Sequence, residues 1–255
     1  MIELSGEVTE DGFLGGKLRL RQPKSGHRAG HDAVLLAAAT PVQSGDRVAD
    51  LGSGVGAAGL AVARRVDGIE LVLVEIDEQL AELARSNARA NAITAEAIVL
   101  DVTSGAERFA SAGLVPDSVD VVIMNPPFND AARHRASPDK ARQVAHVAAE
   151  QTLEGWIHAA RRILKTGGSL AMIWRADGIA EVLAALDRGF GSLAVLPVHA
   201  DAASPAIRVL VRATKGGRAP ARLLAALLLN DEAGLPTPYA QRVLAGEGLL
   251  PLAIP

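Results

Sequence analysis

The sequence predicts an α/β protein whose mostly parallel sheet is covered by helices on both faces. Strand-like and helix-like segments alternate from about residue 47 to residue 188, which is the pattern of repeated βα units. The alternation then stops, and two strand-like runs at residues 192–199 and 207–213 are joined by a short link. Parallel partners need a longer crossover, so we expect this pair to be antiparallel.

The individual elements follow from apolar patterns and from the residues that flank them. Asp77 is expected to cap a helix at its amino end, because its side chain can accept the first peptide N–H groups. Two glycines at 167–168 are expected to end a later helix, since glycine suits the position after the last turn. The expected strands are residues 47–51, 70–75, 96–100, 119–124 and 169–174, and the expected helices are 56–65, 78–90, 153–164 and 177–188.

Three regions are expected along the chain. Residues 1–40 form an N-terminal extension, with a hairpin suggested by the alternating pattern around residues 13–21 and a helix at 33–39. Residues 41–216 form the main domain. Residues 217–255 form a C-terminal tail packed on that domain, with a short apolar element at 223–229 and otherwise loose order.

Length and composition restrict the class of protein. A chain of 255 residues can bury one large core. Cysteine is absent, which excludes disulfides, thiolate zinc sites and thiol catalysis. We find no signal segment and no apolar run near the roughly 18 residues that a membrane span requires. A cytoplasmic protein without a membrane segment is therefore expected, and the two histidines of the long loop at 129–146 are too few to predict a metal site.

A glycine-rich loop follows the first strand of the alternating region. The residues from Asp50 to Gly56 read Asp-Leu-Gly-Ser-Gly-Val-Gly, and glycine lets the backbone approach a ligand. Gly54 to Gly59 also match the dinucleotide fingerprint, and Glu75 lies where a ribose-binding acid is expected. Spacing alone therefore leaves NAD open. The acid at Asp50 would repel a pyrophosphate but not a cationic cofactor that carries an amino acid, so S-adenosylmethionine fits better.

The turn Asn-Pro-Pro-Phe at residues 125–128 follows an apolar strand and suits N-methylation of a planar amine. The lone pair of such an amine is delocalised, so the nitrogen is a poor nucleophile that needs orienting. The Asn125 side-chain oxygen and a carbonyl near Pro126 can each accept one N–H, and proline restricts the backbone that carries them. Phe128 can stack on a flat substrate, a contact worth about 1–3 kcal/mol. The alternative is that these residues only end the strand. An Asn-Pro-Pro-Phe turn has no role in hydride transfer, so it also argues against an NAD-dependent dehydrogenase.

With these motifs the chain resembles the class I S-adenosylmethionine-dependent methyltransferases. Within them it is similar to the tRNA1(Val) adenine-N6 methyltransferase-like family of small-domain enzymes. The residues that carry the resemblance are 12–18, 28–36, the glycine loop, the Asn-Pro-Pro-Phe turn, Pro197 and 208–210. The resemblance implies a Rossmann-like sheet of order 3-2-1-4-5-7-6 with an antiparallel last strand. It also brings Arg28, Gly30 and Asp32 toward the cofactor, although Asp32 could instead cap a helix.

Cofactor sites of such sheets lie outside the carboxyl ends of the strands, where the strand order switches. Glu75 is expected to bind both ribose hydroxyls, Ile76 to pack on the adenine, and Asp101 with Val102 to face the adenine edge. The predicted catalytic residues are Asn125, Pro126, Pro127 and Phe128. The predicted cofactor-binding residues are Arg28, Gly30, Asp32, Asp50, Gly52, Gly54, Gly56, Glu75, Ile76, Asp101, Val102 and Asn125.

Basic residues are segregated although the net charge is −3. Residues 17–28 carry five Lys or Arg and no acid, residues 133–142 carry four and one acid, and residues 208–222 carry five and no acid. Such stretches can bind phosphates even in an acidic chain; solvated surface is the alternative. The predicted substrate-binding residues are Lys17, Arg19, Arg21, Arg133, Arg135, Lys140 and Arg142.

The leading hypothesis is N6-methylation of an adenine in structured RNA, with tRNA as the expected partner. The base must leave its stack to reach the methyl donor, which is least costly in a loop or single strand. One alternative is glutamine N5-methylation of a protein, because related enzymes use the same turn. Those enzymes usually carry an extra N-terminal helical domain, and only about 45 residues precede the first core strand here. The other alternative is a cofactor-binding protein without catalysis.

Overall fold

The computed structural model of the protein describes residues 7–24, 28–127 and 153–254. Several predicted residues lie outside these ranges, as does the loop at 129–146. They are Phe128, Arg133, Arg135, Lys140 and Arg142.

The described ranges alternate strands and helices in the predicted manner. The strands are β1 (Val8–Phe13), β2 (Leu18–Pro23), β3 (Arg47–Leu51), β4 (Glu70–Glu75), β5 (Ala95–Val99), β6 (Val119–Met124), β7 (Leu164–Arg175), β8 (Phe190–His199), β9 (Ala206–Lys215), β10 (Arg222–Leu223) and β11 (Leu227–Leu228). The helices are α1 (His31–Ala39), α2 (Ala57–Arg65), α3 (Glu78–Ala90), α4 (Ala106–Ser111), α5 (described at 153–163), α6 (Ile179–Leu186) and α7 (Pro238–Leu244).

The main sheet has the order β10-β8-β9-β7-β6-β3-β4-β5, and β11 also pairs with β8. Strands β3 to β7 are parallel, whereas β9 is antiparallel to both β7 and β8. Counted from β3, the seven main strands follow 3-2-1-4-5-7-6 with the seventh antiparallel. The predicted α/β fold class is therefore confirmed.

The core forms two layers, one on each face of this sheet. Helices α1, α2 and α3 pack on one face together with the hairpin β1–β2 and the tail. Helices α4, α5 and α6 pack on the other. Parallel strands covered on both faces are rich in apolar residues, and β4 accordingly has a continuous apolar run at 71–74 before it ends in Glu75.

The start of α3 is held by the predicted cap. The Asp77 side chain accepts hydrogen bonds from the backbone N–H groups of Gln79 and Leu80 at 2.8 and 3.1 Å. Two of the four unpaired N–H groups of the first turn are thereby satisfied. Because only Ile76 separates Asp77 from Glu75, this cap also fixes the chain at the end of β4.

Two asparagines on α3 hold the N-terminal hairpin. Asn87 and Asn91 are four residues apart and share a helix face. The Asn87 amide accepts from Arg21 N at 2.8 Å and donates to Arg21 O at 3.0 Å. The Asn91 amide makes the same pair of bonds with Arg19, at 2.9 and 2.7 Å. These side chains supply to β2 the hydrogen bonds that a neighbouring strand would otherwise make.

The tail is more ordered than the sequence indicated, so the expectation of loose order is wrong. Leu250 and Leu252 are buried in the core. Leu250 N donates to Ala38 O at 2.9 Å, and the Arg212 guanidinium donates to the carbonyls of Leu252 and Ile254 at 2.8 and 2.7 Å. The proline and glycine residues of the tail form turns between short apolar anchors, a pattern that lacks the periodicity of a long element.

A second difference lies between α5 and β7. The predicted turn at 165–168 is already part of β7, and Gly167 has φ +83° within it. The register between β6 and β7 shifts in the same region, as expected where a glycine sits in an irregular strand. Within the described residues, no helix is long and apolar enough to cross a membrane.

Candidate active site

Three of the predicted site residues lie side by side at the carboxyl edge of the sheet around its central strand. Leu51, the last residue of β3, pairs with Val74 of β4 on one side and with Met124 of β6 on the other. The next residue of each strand therefore stands at the same level of this edge. These three residues are Gly52, Glu75 and Asn125. The strand order reverses at β3, so the crevice lies at the switch point where such sheets bind ligands.

The glycine loop adopts conformations that need glycine. Gly52, Gly54 and Gly56 have φ values of +69°, +56° and +87°, which L side chains rarely adopt. Gly59 is required for a different reason, because a Cβ there would lie 2.6 Å from a Leu73 methyl carbon. The third glycine position of the motif thus brings α2 close to the sheet.

Glu75 fastens this loop to the end of β4. Its Oε2 accepts from Gly54 N at 2.8 Å, and its Oε1 accepts from the N–H groups of Ile76 and Asp77 at 2.9 and 3.0 Å. A carboxylate offers about four acceptor positions, so three are taken and about one remains on Oε2. The carboxylate can therefore accept one further hydrogen bond directly. To bind both ribose hydroxyls it would have to release or share one of its hydrogen bonds from a peptide N–H.

Asp50 lies beneath the loop and is only 2% exposed. Its Oδ2 accepts from Gly59 N in the first turn of α2 at 2.9 Å. Burial raises the pKa of the Asp50 carboxyl to about 7, the Gly59 hydrogen bond opposes this rise, and the nearby Glu75 charge adds to it. A buried acid that titrates near neutral pH responds strongly to any cation placed beside it.

Trp156 is a site residue that the sequence reasoning missed. It lies on α5, is 8% exposed, and packs on the backbone of Gly52 so closely that a Cβ there would be 2.3 Å from the indole Cη2. The ring thus forms a wall beside the start of the glycine loop. The chain has two tryptophans, and the sequence alone does not show which segment either of them packs against.

Two buried oxygens of the crevice have no hydrogen-bond partner among the described residues. One is Asn125 Oδ1 and the other is Ser53 Oγ. Buried polar atoms are normally paired, so an unpaired acceptor is a specific feature that requires an explanation. An acceptor at Asn125, at the end of β6, has the chemistry needed to receive an N–H donor.

The three residues predicted to lie beside the cofactor adenine differ in their exposure and contacts. Ile76 has a side chain 64% exposed at the end of β4, whereas Val102 is buried at 5%. Asp101 Oδ1 accepts from the backbone N–H and the hydroxyl of Thr103 at 2.8 and 2.7 Å. Ile76 thus offers an apolar surface beside Glu75, while the Asp101 carboxylate shapes its own turn.

The segment before α1 is held by the hairpin. The Arg28 guanidinium donates to Thr9 Oγ1, Pro23 O and Asp11 Oδ2 at 3.1, 3.0 and 2.8 Å. Gly30 is the N-cap residue of α1, which has no side-chain cap bond, so the cap alternative for Asp32 is wrong.

Asp32 instead accepts from Arg208 Nε at 2.9 Å. This pair joins the first turn of α1 to β9.

The predicted substrate cations within the described residues are Lys17, Arg19 and Arg21, and they lie on the N-terminal hairpin. Lys17 Nζ donates to the carbonyls of Ala245 and Gly246 and contacts Glu247. It lies toward the far end of α3, where Asn91 holds the hairpin. A cavity of about 410 Å³ is lined there by residues of the hairpin turn, α1, α2 and the tail, so it is separate from the crevice.

Other cations of the basic stretches are paired within the protein. Arg19 contacts Glu10 at 3.5 Å on the outer face of the hairpin, where Arg21 is exposed. Arg212 binds the tail, and Lys215 binds Asp117 and Leu164 O. Several basic residues of the stretches at 17–28 and 208–222 are therefore engaged in contacts within the protein.

Comparison with known proteins agrees with this geometry. Residues 27–200 match a family described as the methyltransferase small domain. A relative named tRNA1(Val) (adenine(37)-N6)-methyltransferase, from Erwinia tasmaniensis, is 29% identical over 205 residues, covering 79% of this chain and 80% of its own.

Two solved structures extend the comparison. A predicted O-methyltransferase from Agrobacterium tumefaciens, protein Atu636, is 33% identical with a TM-score of 0.72, over 86% of this chain and 98% of that one. The T. thermophilus 16S rRNA N2 G1207 methyltransferase, solved with AdoMet and guanosine, is 20% identical with a TM-score of 0.55, over 82% and 50%.

The fold and the site thus define a class I S-adenosylmethionine-dependent methyltransferase. The chain belongs to the methyltransferase small domain family. The donor set fits that cofactor: Glu75 offers an acceptor for a hydroxyl, Ile76 an exposed apolar side chain, and Asp50 a buried acid.

Proposed function

We propose that the protein methylates the exocyclic N6 amine of an adenine in structured RNA, with tRNA as the RNA class. The observation that carries the proposal is Asn125 Oδ1 at the end of β6, which is buried with no hydrogen-bond partner among the described residues and lies directly beside the strand that begins the glycine loop. The relatives named as tRNA adenine-N6 methyltransferases support the choice of substrate.

The chemistry of the turn favours an amine over a hydroxyl. Asn125 Oδ1 and the Pro126 carbonyl are both acceptors, and a primary amine can donate one N–H to each, whereas a hydroxyl has a single O–H. The bound cofactor supplies an electrophilic methyl group on a positively charged sulfur. What the chain contributes is mainly positioning, since holding a nitrogen in line with a reacting carbon removes much of the entropic barrier.

The cofactor-binding roles are assigned from the same edge of the sheet. Glu75 Oε2 accepts a ribose hydroxyl, and Ile76 covers one face of the adenine. Asp50 stabilises the cationic amino-acid portion from beneath the loop. Asp101 and Val102 line the adenine edge.

The target base must be taken out of its stack to reach Asn125. Flipping costs a few kcal/mol and is least unfavourable in a loop. The Asn-Pro-Pro-Phe turn continues beyond the described residues, and Phe128 is proposed to stack on the flipped base. RNA loops are therefore the proposed substrates, with partner recognition through the phosphate backbone.

The experiment that tests the proposal is methyl transfer from labelled S-adenosylmethionine to unfractionated tRNA, followed by nucleoside mass spectrometry. The expected product is N6-methyladenosine in wild type and none in Asn125→Ala. A label found in a ribose O-methyl nucleoside, or in glutamine of a protein pool, would replace the proposal. Heat-denatured bovine albumin and hydrolysed tRNA are suitable controls for nonspecific labelling.

A further inference from the structure

Two arginines face each other across neighbouring strands at the carboxyl edge of the sheet. Arg175, the last residue of β7, is directly opposite Arg208 of β9 in the antiparallel register. Opposite residues of such a pair project from the same face with their Cβ atoms about 5 Å apart, and like charges at this position destabilise a sheet. An arginine pair placed in this way needs anions beside it, and such anions can be exchangeable.

The pair lies on the substrate side of the crevice. Along the sheet the strands run β4, β3, β6, β7, β9, and their ends at this edge carry Glu75, Gly52, Asn125, Arg175 and, near the start of β9, Arg208. The proposed ribose contact is thus on one side of Asn125 and the arginines are on the other. A nucleotide whose amine is held at Asn125 extends away from the cofactor toward β7 and β9.

Three carboxylates balance the arginines in the free protein. Arg175 Nε lies 3.3 Å from Asp177 Oδ1, and its Nη2 lies 3.5 Å from Glu181 Oε1. The third is Asp32, which pairs with Arg208. The Asp177 side chain is 77% exposed, and an ion pair with such an exposed partner contributes little to stability. Exchange of this partner for another anion therefore costs little.

The side chains of both arginines are partly exposed. The side chains of Arg175 and Arg208 are 34% and 31% exposed. Arg208 is oriented by its 2.9 Å bond to Asp32 in the first turn of α1. Guanidinium groups suit phosphate because their N–H groups form paired, charge-assisted hydrogen bonds to its oxygens.

We infer that Arg175 and Arg208 bind the RNA phosphate backbone next to the target adenine. This inference rests on the proposed function and gives the substrate side of that site its anion-binding residues. Arg208 belongs to the basic stretch at 208–222, whereas Lys17 of the first stretch binds the tail.

The test compares Arg175→Gln and Arg208→Gln with Arg218→Gln in binding and turnover of unfractionated tRNA. Arg218 is exposed and lies just past the end of β9, at the opposite edge of the sheet, so its replacement changes the net charge equally. Each site variant is expected to weaken RNA binding about tenfold at low salt. The slope of log affinity against log salt should fall by about 0.7–0.9 for each phosphate that the variant no longer binds.

Kinetics separate binding from folding defects. The KM for tRNA should rise while kcat at saturating tRNA and the affinity for S-adenosylmethionine stay within about threefold of wild type. Arg175→Lys and Arg208→Lys should recover part of the binding, since lysine keeps the charge without the paired geometry. Circular dichroism and the melting temperature identify any variant that fails to fold. If a glutamine variant fails to fold, the matching lysine variant is compared with wild type instead.

The outcomes distinguish this inference from the proposed function. If wild type forms N6-methyladenosine in tRNA but both site variants match Arg218→Gln in affinity and salt slope, the arginine assignment is overturned. If wild type forms no N6-methyladenosine, the proposed function fails and this inference fails with it.

Discussion

Replacing Asp50 by asparagine tests the raised pKa of this buried carboxyl group. The Asp50 carboxyl is buried beneath the cofactor loop, and its pKa is raised from 3.8 to about 7 by that burial. Asparagine has the same shape, can still accept the Gly59 N–H, and never ionises. The substitution therefore removes the titration while retaining the hydrogen bond that joins β3 to α2.

The sign of the effect follows from proton binding. Between pH 4 and pH 7, given the two pKa values, the folded protein holds a proton on Asp50 that the unfolded chain has lost. The Asp50 contribution to stability is complete below the unfolded pKa of 3.8 and is lost as the pH rises through the folded pKa of about 7. The rise in pKa corresponds to about 4 kcal/mol.

The assay is urea unfolding of both proteins at a series of pH values. Subtracting the variant from wild type cancels the groups that titrate alike in both. We expect this difference in unfolding free energy to fall by about 4 kcal/mol between pH 4 and pH 7.5 and then to level. A difference that stays flat across this range would refute the reasoning, because it would mean that Asp50 is ionised throughout.

Three further predictions concern the same edge of the sheet. Asn125→Ala should abolish methyl transfer while calorimetry finds S-adenosylmethionine affinity within about threefold of wild type; equal loss of both would make Asn125 structural. Glu75→Ala should act oppositely and weaken cofactor binding by about tenfold or more, because it removes an acceptor and three loop hydrogen bonds. Gly52→Ala should cost about 1–3 kcal/mol in urea unfolding through positive φ and the Trp156 ring. Trp156→Leu should recover part of that loss, and strict additivity of the two substitutions would contradict the contact.

Much of the fold could be predicted because its signals are local. The apolar runs at 71–74 in β4 and 121–124 in β6 identify buried parallel strands, and the single side chain of Asp77 marks the start of α3. The glycine loop and the turn at Asn125 each follow a strand, and parallel strands bring such ends to one edge. The positions of the main site residues were therefore predictable from the order of segments.

Contacts between distant segments were not predictable in the same way. The hairpin is held by amides of α3, and nothing in the spacing of Asn87 and Asn91 names their partners. Lys17 belongs to a basic stretch, yet its ammonium binds carbonyls about 230 residues away. The number of basic residues in a stretch does not show where each side chain points in the folded protein. Many different folds are compatible with the same local charge.

The pattern of residues along the chain was enough for the fold class, the crevice at the strand ends and the position of the turn at Asn125, since each depends on neighbours in sequence. The wall formed by Trp156 and the opposition of Arg175 and Arg208 depend instead on strand order and register. Register is set when side chains from the whole molecule pack into one core. For this reason such pairs emerge only after every element has been placed.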